Sequence, residues 1–382
     1  MPSEPTQSVR VLQVVRPAVG GMKGHLLQLA KGLEAFGFDS EIACPGGTDL
    51  SRDAVGLRLT VHPVPIVGPL HPLRDPIAVA ALVRLMHERR PALVHAHGFK
   101  AALVARVAAR LAGRVPCIVT VHNHVLYRGI SRFTRWRYVS VERWLSRMTS
   151  RIITVSDSLR LELVHQYGID PELITTVHNG LDLRPFLEPA DRDAARVKRG
   201  VPAGAVVFGL AARFAPQKAM DVLVRAAEPV LDRHGDTWLL LAGDGPLLER
   251  VRSQAAGATH AGRIIMPGRE SDMPGFLSAL DVYVSSALSE GLPLGTVEAM
   301  AAGLPVISTR AGGTPEVVEE GVTGMLVEPG DATALGDAML SLAADPGARR
   351  LMGEAGRARA LEEFTEERML ERTAAVYREV LG

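Results

Sequence analysis

The chain has 382 residues, too many for one ordinary core, so two domains are expected. A hydrophobic content of 47% with 22% charged residues describes a globular protein and excludes a disordered or fibrous one. The net charge of +1 conceals a split: residues 1–183 hold 22 Lys and Arg against 14 Asp and Glu, and the remainder holds 21 against 28. The first part is basic and the second acidic, which suggests different partners. Only Cys44 and Cys117 occur, so no disulfide framework is expected and a reducing cytosol fits. No signal-peptide pattern opens the chain, and no uncharged apolar run approaches membrane-spanning length. The expected location is cytoplasmic.

Short apolar β-type runs alternate with helical patterns along the chain. Val9–Val15 reads as a strand, followed by Gly20-Gly21 and a helix near 23–36. Strand-like runs recur at 40–43, 59–66, 92–96, 117–122 and 151–155, with helical stretches at 76–89, 100–111 and 157–167 between them. This is the βαβ pattern of a parallel, doubly wound sheet. After Asn179-Gly180-Leu181-Asp182 a charged, Pro- and Gly-containing stretch reads as a linker over 184–204. The alternation then restarts: strand 205–212, helix 217–233, strand 238–242, the turn Gly243-Asp244-Gly245-Pro246, and further strands at 264–266, 282–285, 306–309 and 325–327. The tail from Asp331 is helical almost throughout. The expected domains are 1–183 and 205–362, with 363–382 a helix crossing back to the first. The expected fold class is therefore α/β: two Rossmann-like domains facing across a cleft, with ligands at the carboxyl ends of the strands.

The most informative stretch runs from Ser289 to Ile307. Glu290 and Glu298 lie eight positions apart across a Gly/Pro turn and the start of a small-residue helix. A helix start offers free backbone N–H groups to an anion, here those of Gly291, Leu294 and Gly295. Carboxylates accept from sugar hydroxyls. Such parts suit a sugar joined to a phosphate. Arg213 and Lys218 follow a strand end, where both could meet a diphosphate. The competing readings are plain ones: surface ion-pair partners for the two cations, a helix cap for Glu290 and a solvated helix residue for Glu298.

The ordered series of motifs resembles the family 4 retaining glycosyltransferases, of GT-B fold, over nearly the whole chain. The matching residues are Arg213 with Lys218, Gly243-Asp244-Gly245-Pro246, Pro267-Gly268-Arg269, Glu290 with Glu298, Gly312-Gly313-Thr314-Pro315-Glu316 and the close at 321–327. In the first half Gly20-Gly21, His95-Ala96-His97-Gly98, His122 and Asn179-Gly180-Leu181-Asp182 also fit. The resemblance implies a nucleotide-sugar donor, UDP- or GDP-linked, held by the second domain. It places Glu290 at the transferred sugar, Glu298 at the ribose, and Gly20, Gly21, Gly243, Gly245 and Arg269 around the donor. Arg213 and Lys218 would stabilise the leaving diphosphate. The resemblance also implies retention of configuration, with a leaving-group oxygen taking the acceptor proton, and no metal cofactor.

His122 ends an apolar strand, and in this family a histidine there contacts the donor sugar. A hydrogen-bonded structural histidine is the alternative. His95/His97 and His122/His124 form two H-x-H pairs that could hold a metal, but no Cys or carboxylate joins them in sequence, and no metal is expected. Asp191-Arg192-Asp193 imitates a metal-binding DxD motif but lies in the linker, where it reads as a solvated charge run.

Residues 128–151 carry seven arginines against one acid, Glu142, interleaved with Phe133, Trp136, Tyr138 and Trp144. A helix from about Arg132 would place Arg132, Arg135, Trp136 and Arg143 on a basic aromatic surface suited to an anionic membrane or a lipid-linked acceptor. A core aromatic stripe with a solvated Arg face is the alternative reading. No nucleic-acid motif accompanies the segment. The function expected is sugar transfer from a nucleotide sugar to a hydroxyl acceptor, in surface polysaccharide or glycolipid assembly, at the inner membrane face. A same-fold sugar-nucleotide epimerase, a sugar-phosphate synthase and a non-catalytic sugar-nucleotide-binding or membrane-docked scaffold are the alternatives.

Overall fold

The computed structural model describes residues 8–18, 20–68, 71–123, 131–188 and 190–382. His124 of the second H-x-H pair and Arg128 of the basic run lie outside them. The chain divides into two units, Met1–Gly180 with Glu366–Gly382, and Leu181–Thr365.

The first unit is built on seven parallel strands: β1 (Val9–Val15), β2 (Phe38–Cys44), β3 (Thr60–Pro63), β4 (Leu93–His97), β5 (Cys117–Val121), β6 (Arg151–Thr154) and β7 (Ile174–Thr176), in the order β3-β2-β1-β4-β5-β6-β7. Parallel strands are covered on both faces, which is why they read as near-continuous apolar runs. Val11, Leu12, Val14, Val94, Ile118 and Val119 are buried accordingly. The helix Glu366–Leu381 lays Met369, Leu370, Ala374, Val376 and Tyr377 onto one face of this sheet. Gly32 has no side chain where Leu370 packs, and a Cβ there would overlap it.

The second unit has six parallel strands: β8 (Val206–Ala211), β9 (Thr237–Ala242), β10 (Ile264–Gly268), β11 (Val282–Ser285), β12 (Val306–Thr309) and β13 (Gly324–Val327), ordered β10-β9-β8-β11-β12-β13. In each unit the strand order reverses beside the first strand of that unit, giving the switch point at which doubly wound sheets bind ligands. The helices Met220–Arg233, Leu294–Ala301 and Ala332–Ala344 bury apolar faces on the second unit's core.

The stretch 184–204 is not an open linker. It contains the helices Arg184–Leu187 and Arg192–Arg199, and the second is built into the second unit. Arg196 is buried and bonds Asp281 Oδ2 at 2.7 Å, the Ala205 carbonyl at 2.9 Å and the Ala279 carbonyl at 3.2 Å. Asp191 caps this helix through the Ala194 N–H at 3.0 Å, and Arg192 pairs with Asp281 at 2.5 Å. The DxD look-alike is thus exposed charge, as a solvated run would be, and its first residue also caps a helix. The sequence reading also lacks the helix Asp49–Gly56 and the strand Ile174–Thr176.

Candidate functional site

In the second unit the candidate residues gather at the carboxyl ends of β8, β9 and β11. The turn after β9 is shaped by two glycines. Gly243 and Gly245 have φ of 136° and 145°, a region that favours glycine. They let the turn after β9 lie against the backbone leaving β8: Ala212 N–H donates to the Ala242 carbonyl at 3.0 Å, and Phe214 N–H to the Asp244 carbonyl at 2.7 Å. Arg213 stands between those two bonds, so its backbone is held while its side chain is exposed. Arg269, after β10, is exposed as well.

Lys218 closes the short turn Pro216–Lys218. The Ser286 hydroxyl, just past β11, donates to the Lys218 carbonyl at 2.9 Å and the Ala219 carbonyl at 3.0 Å. Leu288 N–H donates to the Gln217 carbonyl at 2.7 Å. These bonds latch the loop carrying Glu290 onto the turn carrying Lys218. Ala219 takes a left-handed conformation (φ 44°), unusual for a residue with a Cβ, at the point where the turn becomes a helix. Lys218 Nζ and Glu290 Oε1 form an ion pair, and Glu290 is buried. Glu290 is therefore neither a helix cap nor a free carboxylate.

The helix Leu294–Ala301 follows, with Pro293 at its N-cap and, among the described residues, no side chain capping it. Thr296 and Val297 N–H both turn to the Pro293 carbonyl, at 3.0 and 3.3 Å. Leu294 and Gly295 stand ahead of them in the first turn. The Gly291 carbonyl accepts from Gly313 N–H at 3.2 Å, which ties the Gly312–Glu316 loop to this turn. Beneath the helix start lies Tyr283, a β11 residue that the motif reading passes over. A Cβ on Gly295 would sit 2.6 Å from its hydroxyl. Burial, with Glu298 and Glu290 nearby, pushes the Tyr283 hydroxyl up out of the ionising range.

Burial also raises the Glu298 carboxyl to about 7. A raised folded-state value means the folded protein keeps this proton between about pH 4.5 and 7 while the unfolded chain, at the ordinary value, does not. The stabilisation is full below the unfolded value and is lost as pH rises through 7. Wild-type melting temperature should therefore fall between pH 6 and pH 8 relative to the Glu298→Gln variant, whose side chain stays neutral. Parallel melting curves for the two proteins across that range would contradict a buried carboxyl.

The first unit holds the remaining candidates. Gly20 (φ 60°, ψ −139°) starts the helix Gly21–Gly32 after β1, and its carbonyl accepts from Lys23 N–H at 3.0 Å. Gly20 and Gly21 are exposed. Strand register then assembles a buried polar chain. Gln13 pairs with His95, and His97 with Thr120, across β1, β4 and β5. The Gln13 amide donates to the Ser40 hydroxyl at 3.3 Å and the Tyr377 hydroxyl at 3.1 Å. Its oxygen accepts from His97 Nε2 at 2.9 Å, which leaves the His97 lone pair on Nδ1. His122 Nε2 lies 3.2 Å from that Nδ1 and donates to it. On the other side, the Tyr377 hydroxyl donates to His95 Nδ1 at 2.6 Å and His95 Nε2 to the Thr120 hydroxyl at 2.7 Å. Burial holds His95, His97 and His122 well below the ordinary imidazole range, so all three are neutral. His95 is thus a structural histidine linking the sheet to the C-terminal helix.

A fourth histidine joins this group. His25, on the Gly21–Gly32 helix, is 5% exposed, and its ring lies edge-on to His122 at 4.9 Å and to His97 at 6.1 Å between centroids. Among the described residues, neither of its ring nitrogens has a partner. The only sequence signal for it is its place four residues after Gly20-Gly21.

The basic aromatic helix spans Arg132–Ser146. Its aromatic stripe is not core. Phe133, Trp136 and Trp144 are 66%, 63% and 56% exposed, whereas the inner side carries Leu145 and the buried Glu142–Arg106 pair at 2.7 Å. Phe133 and Trp136 stack at 6.1 Å, and the Arg137 guanidinium lies over Phe133. Arg132 is exposed. Arg135 bonds Gln166 at 2.7 Å, and Arg143 is drawn towards the chain by the Tyr167 carbonyl at 3.0 Å.

Two doubly wound units, one presenting cations, carboxylates and a helix start at its strand ends, define a GT-B glycosyltransferase. Residues 19–184 match Glycosyltransferase Family 4 and residues 191–359 match Glycosyl transferases group 1. A D-inositol 3-phosphate glycosyltransferase of Streptomyces bingchenggensis is 31% identical over 95% of this chain and 85% of its own length. An Escherichia coli UDP-Gal:alpha-D-GlcNAc-diphosphoundecaprenol alpha-1,3-galactosyltransferase is 28% identical over 72% of each chain. The crystal structure of Anabaena Alr3699/HepE in complex with UDP-glucose shares the fold at a TM-score of 0.84, with 23% identity and coverage of 97% and 99%. The chain belongs to glycosyltransferase family 4. It is a transferase that moves a sugar from a nucleotide-sugar donor to a hydroxyl acceptor.

Proposed function

We propose that this enzyme transfers a sugar with retention of configuration from a UDP-linked donor to a lipid-linked acceptor at an anionic membrane surface. The observation that carries the donor side is the Lys218–Glu290 pair beside an uncapped helix start. In this reading Lys218 leaves Glu290 for the diphosphate when donor arrives, and Arg213 joins it there. The freed Glu290 carboxylate then accepts from sugar hydroxyls, while Glu298 accepts from the ribose. Leu294 and Gly295 N–H groups meet the phosphate. Gly20 and Gly21 take the loop past the donor phosphate, Arg269 borders the base, and His122 contacts the sugar. Two cations and a helix start supply the charge stabilisation of the leaving group, so the reading needs no metal. The UDP preference is supported by the UDP-galactose and UDP-glucose named for the relative and the structural neighbour.

The acceptor side is supported by the outward Arg132–Ser146 helix. Large aromatics beside Arg132, Arg135 and Arg137 suit the interface of an anionic bilayer. The diphosphoundecaprenol acceptor of the E. coli relative agrees with this chemistry. The test is a panel of UDP- and GDP-sugars with polyprenyl-diphosphate-linked acceptors, in excess chelator, with the product's anomeric configuration read by NMR. Retained configuration with a UDP-sugar is the expected result; inversion, or a strict need for a divalent ion, would refute it. Release of an epimerised sugar nucleotide without acceptor would favour the epimerase instead. Binding to anionic liposomes should weaken with salt and fall at least tenfold in Trp136→Ala/Arg132→Ala; unchanged binding would remove the membrane docking.

A further inference from the structure

We propose that His25, His97 and His122 form a binding site for a late transition-metal dication, of the zinc class, separate from any need of the transfer reaction. The ligand atoms of the three rings lie within 4.8 Å of one another, and all three residues are buried. His97 Nδ1 and His122 Nε2 are already 3.2 Å apart, close to the spacing of two nitrogens on one tetrahedral ion. Three features make this more than proximity.

The first is the tautomer of His97. Gln13 Oε1 accepts a hydrogen bond from His97 Nε2–H, which leaves the Nδ1 lone pair facing the other two rings. A ligand histidine whose far nitrogen is held by a hydrogen-bond acceptor is the usual outer-shell arrangement of a metal site. Gln13 is itself fixed by Ser40 and Tyr377, so the ring cannot turn away. The second is enclosure. His25, His97 and His122 are 5%, 1% and 7% exposed, so the three rings converge away from bulk water. To offer its Nε2 lone pair, His122 moves its proton to Nδ1.

The third is His25. A buried imidazole with neither nitrogen bonded among the described residues leaves both a donor and an acceptor unsatisfied, a cost that a ligand would relieve. Its ring lies edge-on to both other histidines, so its nitrogens can join them. The set differs from both sequence pairs. His95 is consumed by Tyr377 and Thr120, and His25 comes from the helix that follows β1, the strand beside β4. Three imidazoles, with no carboxylate or thiolate joining them among the described residues, favour zinc, nickel, copper or cobalt over magnesium or calcium. If His122 serves the donor sugar, as in the reading above, an ion held here takes its Nε2 and slows transfer.

Zinc titrated into chelator-stripped enzyme should bind at one equivalent by calorimetry, and cobalt should give the visible absorption of a four-coordinate ion. His25→Gln and His97→Gln should each weaken the zinc affinity at least tenfold and abolish the cobalt signal. Among the described residues His25 makes no hydrogen bond to lose, so its variant should fold; melting in chelator checks both. Absence of binding, or binding that both folded variants retain, would overturn the site. UDP affinity, measured without metal, reports on the donor reading alone. Tight zinc binding that leaves transfer unchanged would overturn the role of His122 at the sugar, not the metal site.

Discussion

Replacing Glu290 with Gln is expected to lower kcat/KM for transfer by about 100-fold, roughly 2.7 kcal/mol of transition-state stabilisation. The side chain keeps its size, and the Lys218 it abandons is partly open to solvent, with 29% of its side chain exposed. An ion pair with one solvated partner contributes on the order of 1 kcal/mol or less, so the melting temperature should shift by only a few degrees. The loop geometry does not depend on the carboxylate: Ser286 to Lys218 and Leu288 to Gln217 are held by other bonds. A structural role and a role at the sugar thus predict opposite patterns. If Glu290 merely neutralises Lys218, the variant melts lower and turns over normally. If it meets the sugar, folding is kept and turnover is lost. Steady-state kinetics with a saturating nucleotide sugar, beside a thermal melt, separates the two, and turnover within threefold of wild type would exclude the sugar role.

That contrast also marks how far the residues could be read without the fold. The order of elements, the two wound halves and the family followed from patterns that are local in sequence: apolar runs, Gly-rich turns and the Glu290–Glu298 spacing. What stayed hidden was set by distant partners. The Arg192–Arg199 helix reads as charged linker because Asp281, which neutralises Arg196, lies far along the chain. His25 reads as one polar residue on an amphipathic helix, since only the neighbouring of β1, β4 and β5 brings His97 and His122 to it. Tyr283 reads as a strand residue, because nothing local says that Gly295 stands over its hydroxyl. The Phe133–Trp144 stripe has one spacing whether it faces core or solvent. Only the burial of Leu145 and Glu142 on the other side settles that it faces outward.

Gly243→Ala should be the most damaging single methyl in the second unit, with a loss of about 3 kcal/mol or more in stability and of transfer with it. Two costs add. At φ of 136° a Cβ is strained wherever it points. The new methyl would also overlap the Ala212 carbonyl, and that neighbour is backbone, not a side chain that could swing aside. Relief requires moving the chain between Ala212 and Phe214, and Arg213 moves with it. Gly20→Ala provides the control. Its φ of 60° is also unfavourable, but among the described residues no atom beyond its chain neighbours lies within 4 Å of the added Cβ, so strain alone should cost about 1–3 kcal/mol. Urea melts of the two variants give the difference directly. UDP affinity then separates two roles for the turn: as a wall of the donor pocket, or as the support that sets Arg213. Gly243→Ala protein that is still folded at low temperature but binds UDP weakly, with Arg213→Ala adding nothing further, identifies the support. Full additivity of the two changes would mean that the turn touches the donor by itself.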